Sequence, residues 1–245
     1  MKTVAIVQAR MTSTRLPGKV LKSILGRPMF GYQVEQLRRA KTLDAIVVAT
    51  TINDSDNPIV AFCEAEGLPC VRGSEHDVLS RYHQALTQWP AENIVRITSD
   101  CPLLDPAVVD AAVRRFESLA GQCDYLSNMI APTYPYGMAV EVMTSAALRQ
   151  AQAEATEAAE REHVTPFIYW HPERFRVHSM TLAEDLSHYR WTVDTPEDFE
   201  LVSRIIETLA PQHPSFSMSD ILNLLDSHPD WLAINQHIVQ KSAKS

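Results

Sequence analysis

Residues 8 to 19 read Gln-Ala-Arg-Met-Thr-Ser-Thr-Arg-Leu-Pro-Gly-Lys, and residues 10 to 22 carry Arg10, Arg15, Lys19 and Lys22 with no acidic residue. The chain as a whole has a net charge of −8, so this local reversal of sign points to a bound anion, or else to a solvated basic loop. Two guanidiniums and an ammonium with hydroxyls nearby can hold a polyphosphate. The segment is not a Walker A loop. That motif needs glycine five positions before Gly18, where Ser13 stands, and Ser or Thr after the lysine, where Val20 stands.

Two carboxylates could serve such an anion. Asp100, in Arg-Ile-Thr-Ser-Asp-Cys-Pro, follows an apolar strand pattern and precedes a helix. Asp105, followed by Pro106, already supplies the helix cap, so Asp100 is surplus to helix initiation and suits a Mg²⁺ ligand. Asp194 repeats the logic, because Thr195 is the better cap for the helix opened by Pro196. Together they offer the one or two carboxylates by which proteins hold Mg²⁺ beside substrate phosphates.

These residues need a scaffold, and the pattern along the chain supplies an α/β one. Residues 3–9, 44–50, 69–72 and 93–98 read as strands alternating with helices, the signature of a mainly parallel central sheet flanked by helices. Phe30, Val34 and Leu37 mark one helix. Val78, Leu79, Tyr82, Ala85, Leu86 and Trp89 mark a second, and Val108, Val109, Ala112, Val113 and Phe116 a third. From Cys123 the rhythm changes. Residues 123–128, 138–143, 174–182 and 189–193 read as strands, 144–161 as a helix, and the loop 131–137 as one that could reach over a site. Thr195-Pro196-Glu197-Asp198 opens a helix with a capping-box pattern, a further apolar helix carries Ile221, Leu225 and Trp231, and residues 241–245 read as a fraying polar tail. The expectation is one domain over 1–245. Its nucleotide-binding half is 1–122, its sugar-binding and dimerisation region 123–193, and its C-terminal helices 194–245.

Composition narrows the function. With 45% apolar and 21% charged residues among 245, the chain is neither disordered nor fibrous. No apolar run approaches the roughly 18 residues of a membrane span, and Met1-Lys2-Thr3 leads straight into a strand pattern without a signal sequence, so a cytoplasmic protein without membrane partners is expected. The acidic balance argues against a nucleic-acid surface. Cys63, Cys70, Cys101 and Cys123 form no C-x-x-C pair, which leaves buried thiols rather than zinc or disulfides. Only 7 glycines are present, too few for folds built on several glycine-rich phosphate loops.

Five motifs occur in order: 8–19 as above, Arg72-Gly73-Ser74-Glu75-x-Asp77-Val78-Leu79, Asp100-Cys101-Pro102-Leu103-Leu104-Asp105, Arg161-Glu162-His163-Val164-Thr165-Pro166 and Trp191-Thr192-Val193-Asp194-Thr195-Pro196-Glu197-Asp198. In this the chain resembles the acylneuraminate cytidylyltransferase family, in its spore-coat polysaccharide branch, over about residues 3–209. The resemblance implies a glycosyltransferase-A-like nucleotidyltransferase fold, a homodimer, and Mg²⁺-dependent transfer of CMP from CTP to a small acidic sugar of nonulosonic or octulosonic type, with release of pyrophosphate. By motif position Arg10, Ser13, Arg15 and Lys19 would hold the triphosphate, with Lys19 nearest the reacting phosphate, and Asp100 and Asp194 would share Mg²⁺.

Arg72, Ser74, Asp77 and Arg81 could read base and ribose, although Asp77 and Arg81 are also spaced as an i, i+4 surface salt bridge. Glu141, alternating with Val140 and Val142, is placed to accept from sugar hydroxyls or to face water. His163 matches a histidine lining the sugar site of the octulosonate enzymes, or is a surface histidine of its helix. Two departures touch specificity: Phe167 replaces a family tyrosine, and Val20 an asparagine next to the base in the sialic acid enzymes. A glycosyltransferase shares the core topology but uses an Asp-x-Asp motif, whereas this chain has Ser99-Asp100-Cys101. A non-catalytic nucleotide-binding scaffold is the third reading, and it sits poorly with the presence of Lys19, Asp100 and Asp194.

Overall fold

The computed structural model describes residues 1–240; the tail expected over 241–245 lies outside them. Along the chain, β1 (Thr3–Gln8) is followed by a short hairpin, β2 (Ser23–Ile24) and β3 (Arg27–Pro28), and by α1 (Met29–Arg39). Then come β4 (Ala45–Thr51), α2 (Asn57–Ala65), β5 (Cys70–Gly73), α3 (Val78–Gln88), β6 (Asn93–Thr98) and α4 (Pro106–Ser118). The second half adds β7 (Tyr125–Ser127), β8 (Glu141–Thr144), α5 (Ser145–Glu154), α6 (Ala158–His163), α7 (Pro166–Tyr169), β9 (Val177–Ser179), α8 (Pro196–Leu209) and α9 (Met218–Ser227).

Seven strands form one sheet in the order β5-β4-β1-β6-β8-β7-β9. β8 runs antiparallel to both of its neighbours, and every other pairing in this sheet is parallel. The central strand shows why the sequence reads as it does. Ala5 and Val7 face one apolar core with α1, α4 and α8, while Val4 and Ile6 face a second with α3 and α5. A strand buried on both faces is a continuous apolar run rather than an alternating one.

The chain leaves β1 toward β4 on one side and later returns to pair β6 on the other. Successive loops therefore diverge at the carboxyl ends of β1 and β6, which opens the crevice where ligands bind in open α/β sheets. The loop 9–18 and the segment 99–105 flank that crevice.

Several second-half expectations are corrected. The expected helix 144–161 is two helices, because Ala155 turns extended and the Glu160 carboxylate accepts from the Thr156 and Glu157 backbone N–H groups, starting α6 afresh. The strands expected at 138–143 and 174–182 shrink to Glu141–Thr144 and Val177–Ser179. Residues 189–193 make one isolated parallel bridge, Tyr136 with Arg190. The loop 131–137 does not cover the crevice: Tyr134 is buried, and the Thr133 oxygens accept from the backbone N–H groups of Leu182 and Leu186.

The bridge ends where Gly137 turns the chain at φ +107°, a conformation that strongly favours glycine. A Cβ there would lie 2.6 Å from the Trp191 carbonyl carbon. Gly121, also left-handed at φ +71°, has nothing within 4 Å. Gly121→Ala therefore costs the left-handed backbone penalty alone, about 1–2 kcal/mol, and Gly137→Ala costs more because the backbone of residues 191 and 192 must also move. Denaturant midpoints of the two variants check this ordering; equal losses would refute it.

Candidate active site

The loop after β1 is shaped from its two ends. The Gly18 N–H donates to the Met11 carbonyl at 2.9 Å, and Gly18 itself takes φ +70°, which lets the chain reverse into the short helical turn that begins at Lys19. At the other end the Met11 N–H donates 2.8 Å to Asp56, a fully buried carboxylate that also accepts from the hydroxyls of Thr50 and Thr51. Asp56 thus ties the loop to the end of β4. Nothing in its own sequence context signals this, because Met11 lies 45 residues away. Glu75, from the loop after β5, accepts from Thr12 and Asn53 and stands 3.6 Å from Arg10.

Lys19 is the centre of the site. Its Nζ donates 2.6 Å to the Val193 carbonyl, 2.9 Å to Asp194 Oδ1 and 3.3 Å to Asp100 Oδ2. Burial works against the charged ammonium, but the two carboxylates more than offset it, and the Lys19 pKa moves up. Burial likewise works against ionised Asp194, yet Lys19, Arg15 and Arg190 hold its carboxyl below the usual aspartate range. Arg15 reaches Asp194 Oδ2 at 2.9 Å. The segments bearing the two carboxylates are joined directly, since the Val193 N–H donates 2.8 Å to the Asp100 carbonyl.

Behind Asp194 lies a charge network that sequence reading did not single out. Arg190 donates through Nε and Nη2 to the two oxygens of Asp198 at 2.8 and 2.9 Å and through Nη2 to Asp194 at 3.0 Å. Asp198 is fully buried and also accepts from the backbone N–H groups of Asp194 and Thr195. The capping-box pattern found Asp198 as a cap residue; its role in orienting Asp194 depends on Arg190, which folding brings to it.

Lys19, Asp100, Asp194 and Arg15 line a pocket of about 280 Å³. Of the sequence-predicted residues, Arg10, Ser13, Arg15, Lys19, Arg81, Asp100, His163 and Asp194 all contribute to its wall. Arg72, Ser74 and Asp77 are not among its lining. Arg72 donates to the carbonyls of Thr51 and Asn53, Ser74 Oγ accepts from the Asp77 N–H, and Asp77 caps α3. The i, i+4 salt bridge considered for Asp77 is replaced by an ion pair with Arg161 at 2.5 Å. Arg81 is 1% exposed, makes no ion pair among the described residues, and its Nε has no partner there. Burial pushes its pKa down. A buried cation at a pocket wall without a counter-charge is set to receive an acceptor from a ligand.

Glu141 departs from both expectations. It neither faces water nor lines the pocket, because Arg96 and the Tyr125 hydroxyl occupy its two carboxylate oxygens. Alternation placed it on the correct face; its register partner Arg96 is what neutralises it. His163 stands at the end of α6 in the pocket wall, half-buried, and burial lowers its pKa. Glu162 beside it is a lining residue that sequence reading passed over.

The Arg190–Asp198 pair generates a stability prediction. Breaking a buried ion pair from one side leaves an uncompensated charge and costs about 3–5 kcal/mol. Asp198→Asn should lose stability of that order in chemical denaturation. A loss below about 1 kcal/mol, the range of an exposed pair, would show that the network does not hold Asp194 in place.

Comparison with known proteins identifies the family of the chain and its fold. The cytidylyltransferase family model matches residues 4–216. The spore coat polysaccharide biosynthesis protein SpsF of Bacillus subtilis is 32% identical over 232 residues, 92% of this chain and 94% of its own. The structure of a cytidylyltransferase from Leptospira borgpetersenii serovar Hardjo-bovis superposes with a TM-score of 0.90 at 31% identity, covering 99% of this chain and all of that one. A CMP:2-keto-3-deoxy-manno-octonic acid synthetase complexed with CTP shares the fold, with a TM-score of 0.64 at 17% identity over 84% of this chain and 99% of its own. With a family match over most of its length and the α/β nucleotidyltransferase fold around its basic loop, the chain belongs to the cytidylyltransferase family and is a nucleotidyltransferase.

Proposed function

We propose that this enzyme transfers CMP from CTP to a hydroxyl of a small acidic sugar of the nonulosonic or octulosonic class, releasing pyrophosphate, with Mg²⁺ as the cofactor. The observation that carries the reading is the Lys19 ammonium between Asp100 and Asp194, with Arg10 and Arg15 from the same loop in the same pocket wall. CTP as donor and a keto-deoxy sugar acid as acceptor are supported by the relative of the same fold whose name carries both.

In the reaction a sugar oxygen forms a bond to the α-phosphorus as the bond from that phosphorus to the bridging oxygen breaks. The electron pair leaves with pyrophosphate and the hydroxyl proton is released. No covalent enzyme nucleophile is required; alignment and fixed positive charge are. Arg10, Arg15 and Lys19 hold the triphosphate and offset the charge that grows on the leaving pyrophosphate. Ser13 adds a hydroxyl donor. Arg81, whose Nη1 donates to the Ser74 and Glu75 carbonyls while its Nε has no partner among the described residues, offers that Nε toward the nucleoside, and His163 lines the acceptor side.

Asp100 and Asp194 fit a divalent cation. They converge within hydrogen-bonding distance of one point, present hard oxygen donors, and no cluster of three His, Cys, Asp or Glu suited to a metal occurs among the described residues. That donor set matches a cation held by one or two carboxylates and completed by phosphate oxygens. When bound, the cation would neutralise phosphate charge and lower the basicity of the attacking oxygen. Lys19 occupies the carboxylates meanwhile, and a triphosphate offers its ammonium an alternative partner.

Asp100→Asn should lower kcat by at least a hundredfold while the unfolding temperature stays within a few degrees, because Asp100 lies at a strand end and contributes little to the core. Wild-type turnover in that variant would remove Asp100 from the metal site. Lys19→Ala should weaken CTP binding at least tenfold in a calorimetric titration. The reading as a whole is tested by pyrophosphate release with Mg²⁺, crossing CTP, UTP, ATP, GTP and dTTP with nonulosonic and octulosonic acids and neutral hexoses. Release with CTP and one acidic sugar is expected. A neutral hexose as the best acceptor would overturn the sugar assignment, and another nucleotide as the best donor the CTP assignment.

A further inference from the structure

The backbone immediately after His163 is strained. Val164 sits at φ +72°, ψ −53°, and the Thr165 N–H donates 2.8 Å to the His163 carbonyl, closing a three-residue γ-turn. Turns of this hand are rare and strained, and a β-branched residue is among the least suited to positive φ. The next residue adds to the cost. Thr165 precedes Pro166, which disfavours the helical region, yet it adopts φ −99°, ψ −14°. The other non-glycine residue with positive φ among those described, Leu25, lies exposed in the β2–β3 turn, whereas Val164 is fully buried.

The surroundings hold the turn from every side. Val164 packs in the same apolar core as Tyr82, Leu148 and Phe167, and its N–H donates to the Glu160 carbonyl at 3.0 Å. α6 is fixed to α3 by Arg161, whose Nε and Nη2 meet the two Asp77 oxygens at 3.0 and 2.5 Å, and to α5 through the Gln152 carbonyl at 3.1 Å. α7 begins two residues later. With φ of Val164 relaxed to a negative value, the peptide between the two helices would turn over, and both could not keep these contacts. Strain that persists because its surroundings over-determine it tends to sit where a side chain must be held for function.

We propose that Val164 is a positioning residue: the strained turn it closes fixes His163 in the pocket wall, on the side where the acceptor is seated. The acceptor side rests on the reading given under Proposed function; the fixing of His163 does not. Asp77 and Arg161 belong to the same device, since they anchor the helix that ends at His163. This gives Asp77 a task in the site although it does not line the pocket.

Two substitutions separate strain from packing. Val164→Ala removes side-chain contacts and keeps the conflict with positive φ. Val164→Gly removes both. Glycine ordinarily destabilises relative to alanine, so an unfolding temperature of Val164→Gly equal to or above that of Val164→Ala is expected, and one clearly below it would show that no strain is stored.

Histidine-labelled NMR, with the His163 signal identified by its loss in His163→Gln, then reads the imidazole itself. The charged groups facing it are Glu162, Glu141 and Arg96. In the wild type and in Val164→Gly, which accepts the turn without strain, the ring should titrate below the ordinary value of about 6.5, and in Val164→Ala, which keeps the conflict and loses the packing that holds it, it should move back toward that value. An unchanged His163 titration in Val164→Ala overturns the proposal. In the pyrophosphate assay, Val164→Ala should lower kcat/KM for the acceptor at least tenfold with CTP affinity within twofold of wild type. Wild-type kcat/KM in that variant also overturns it. Should the wild type use no acceptor, the functional reading fails while the unfolding and titration results still decide the claim about Val164.

Discussion

One ammonium group, that of Lys19, lies where three stretches of chain meet: the loop after β1, the segment after β6 and the turn before α8. Two close carboxylates offset the cost of burying this ammonium, so the positions of Asp100 and Asp194 are set by Lys19 as much as its position is set by theirs. The rest of the site follows from that mutual constraint. Asp194 has a fixed orientation because Arg190 and Asp198 hold it from behind. Asp100 is fixed because its carbonyl accepts from the Val193 and Thr192 groups of the same turn.

The same arrangement lets a protein of net charge −8 present a cluster of cations of the kind the proposed triphosphate site requires. Each cation of the loop is provisionally paired: Arg10 approaches Glu75, Arg15 meets Asp194, and Lys19 meets both aspartates. These contacts keep long side chains ordered toward the pocket, which reduces the conformational entropy lost on binding. A phosphate chain then exchanges one anionic partner for another instead of ordering free side chains, and the carboxylates it releases become available to a cation.

How much of this was legible in the sequence depended on the range of the interactions involved. Most of the parallel half of the sheet was readable because β1 and β4 are apolar runs and α3 and α4 carry local caps, whereas α2, without a side-chain cap, was not read. Asp105 and Thr195 cap α4 and α8, which is why Asp100 and Asp194 stood out as carboxylates surplus to capping. The second half was less readable. Its strands are three or four residues long, and α6 depends on a glutamate turned back onto the backbone. Partnerships were the least readable of all. Alternation gave Glu141 its face but not the Arg96 that neutralises it, spacing offered Arg81 to Asp77 where the fold supplies Arg161, and Asp56 reaches the basic loop only after β1 and β4 have paired.

The two sides of the pocket are therefore held by different physics. On the side of the basic loop, order comes from compensated charge: Lys19 shares Asp100 and Asp194, and Asp194 is shared in turn with Arg15 and Arg190, so each ion pair limits the freedom of the next. On the His163 side there is no such network among the lining residues, and order comes from backbone geometry, a γ-turn locked between two short helices that are anchored elsewhere. Charge compensation suits a wall that exchanges partners when an anion and a cation arrive. A strained turn cannot exchange partners; it either holds or collapses, and that suits a wall whose side chain has to keep one fixed position.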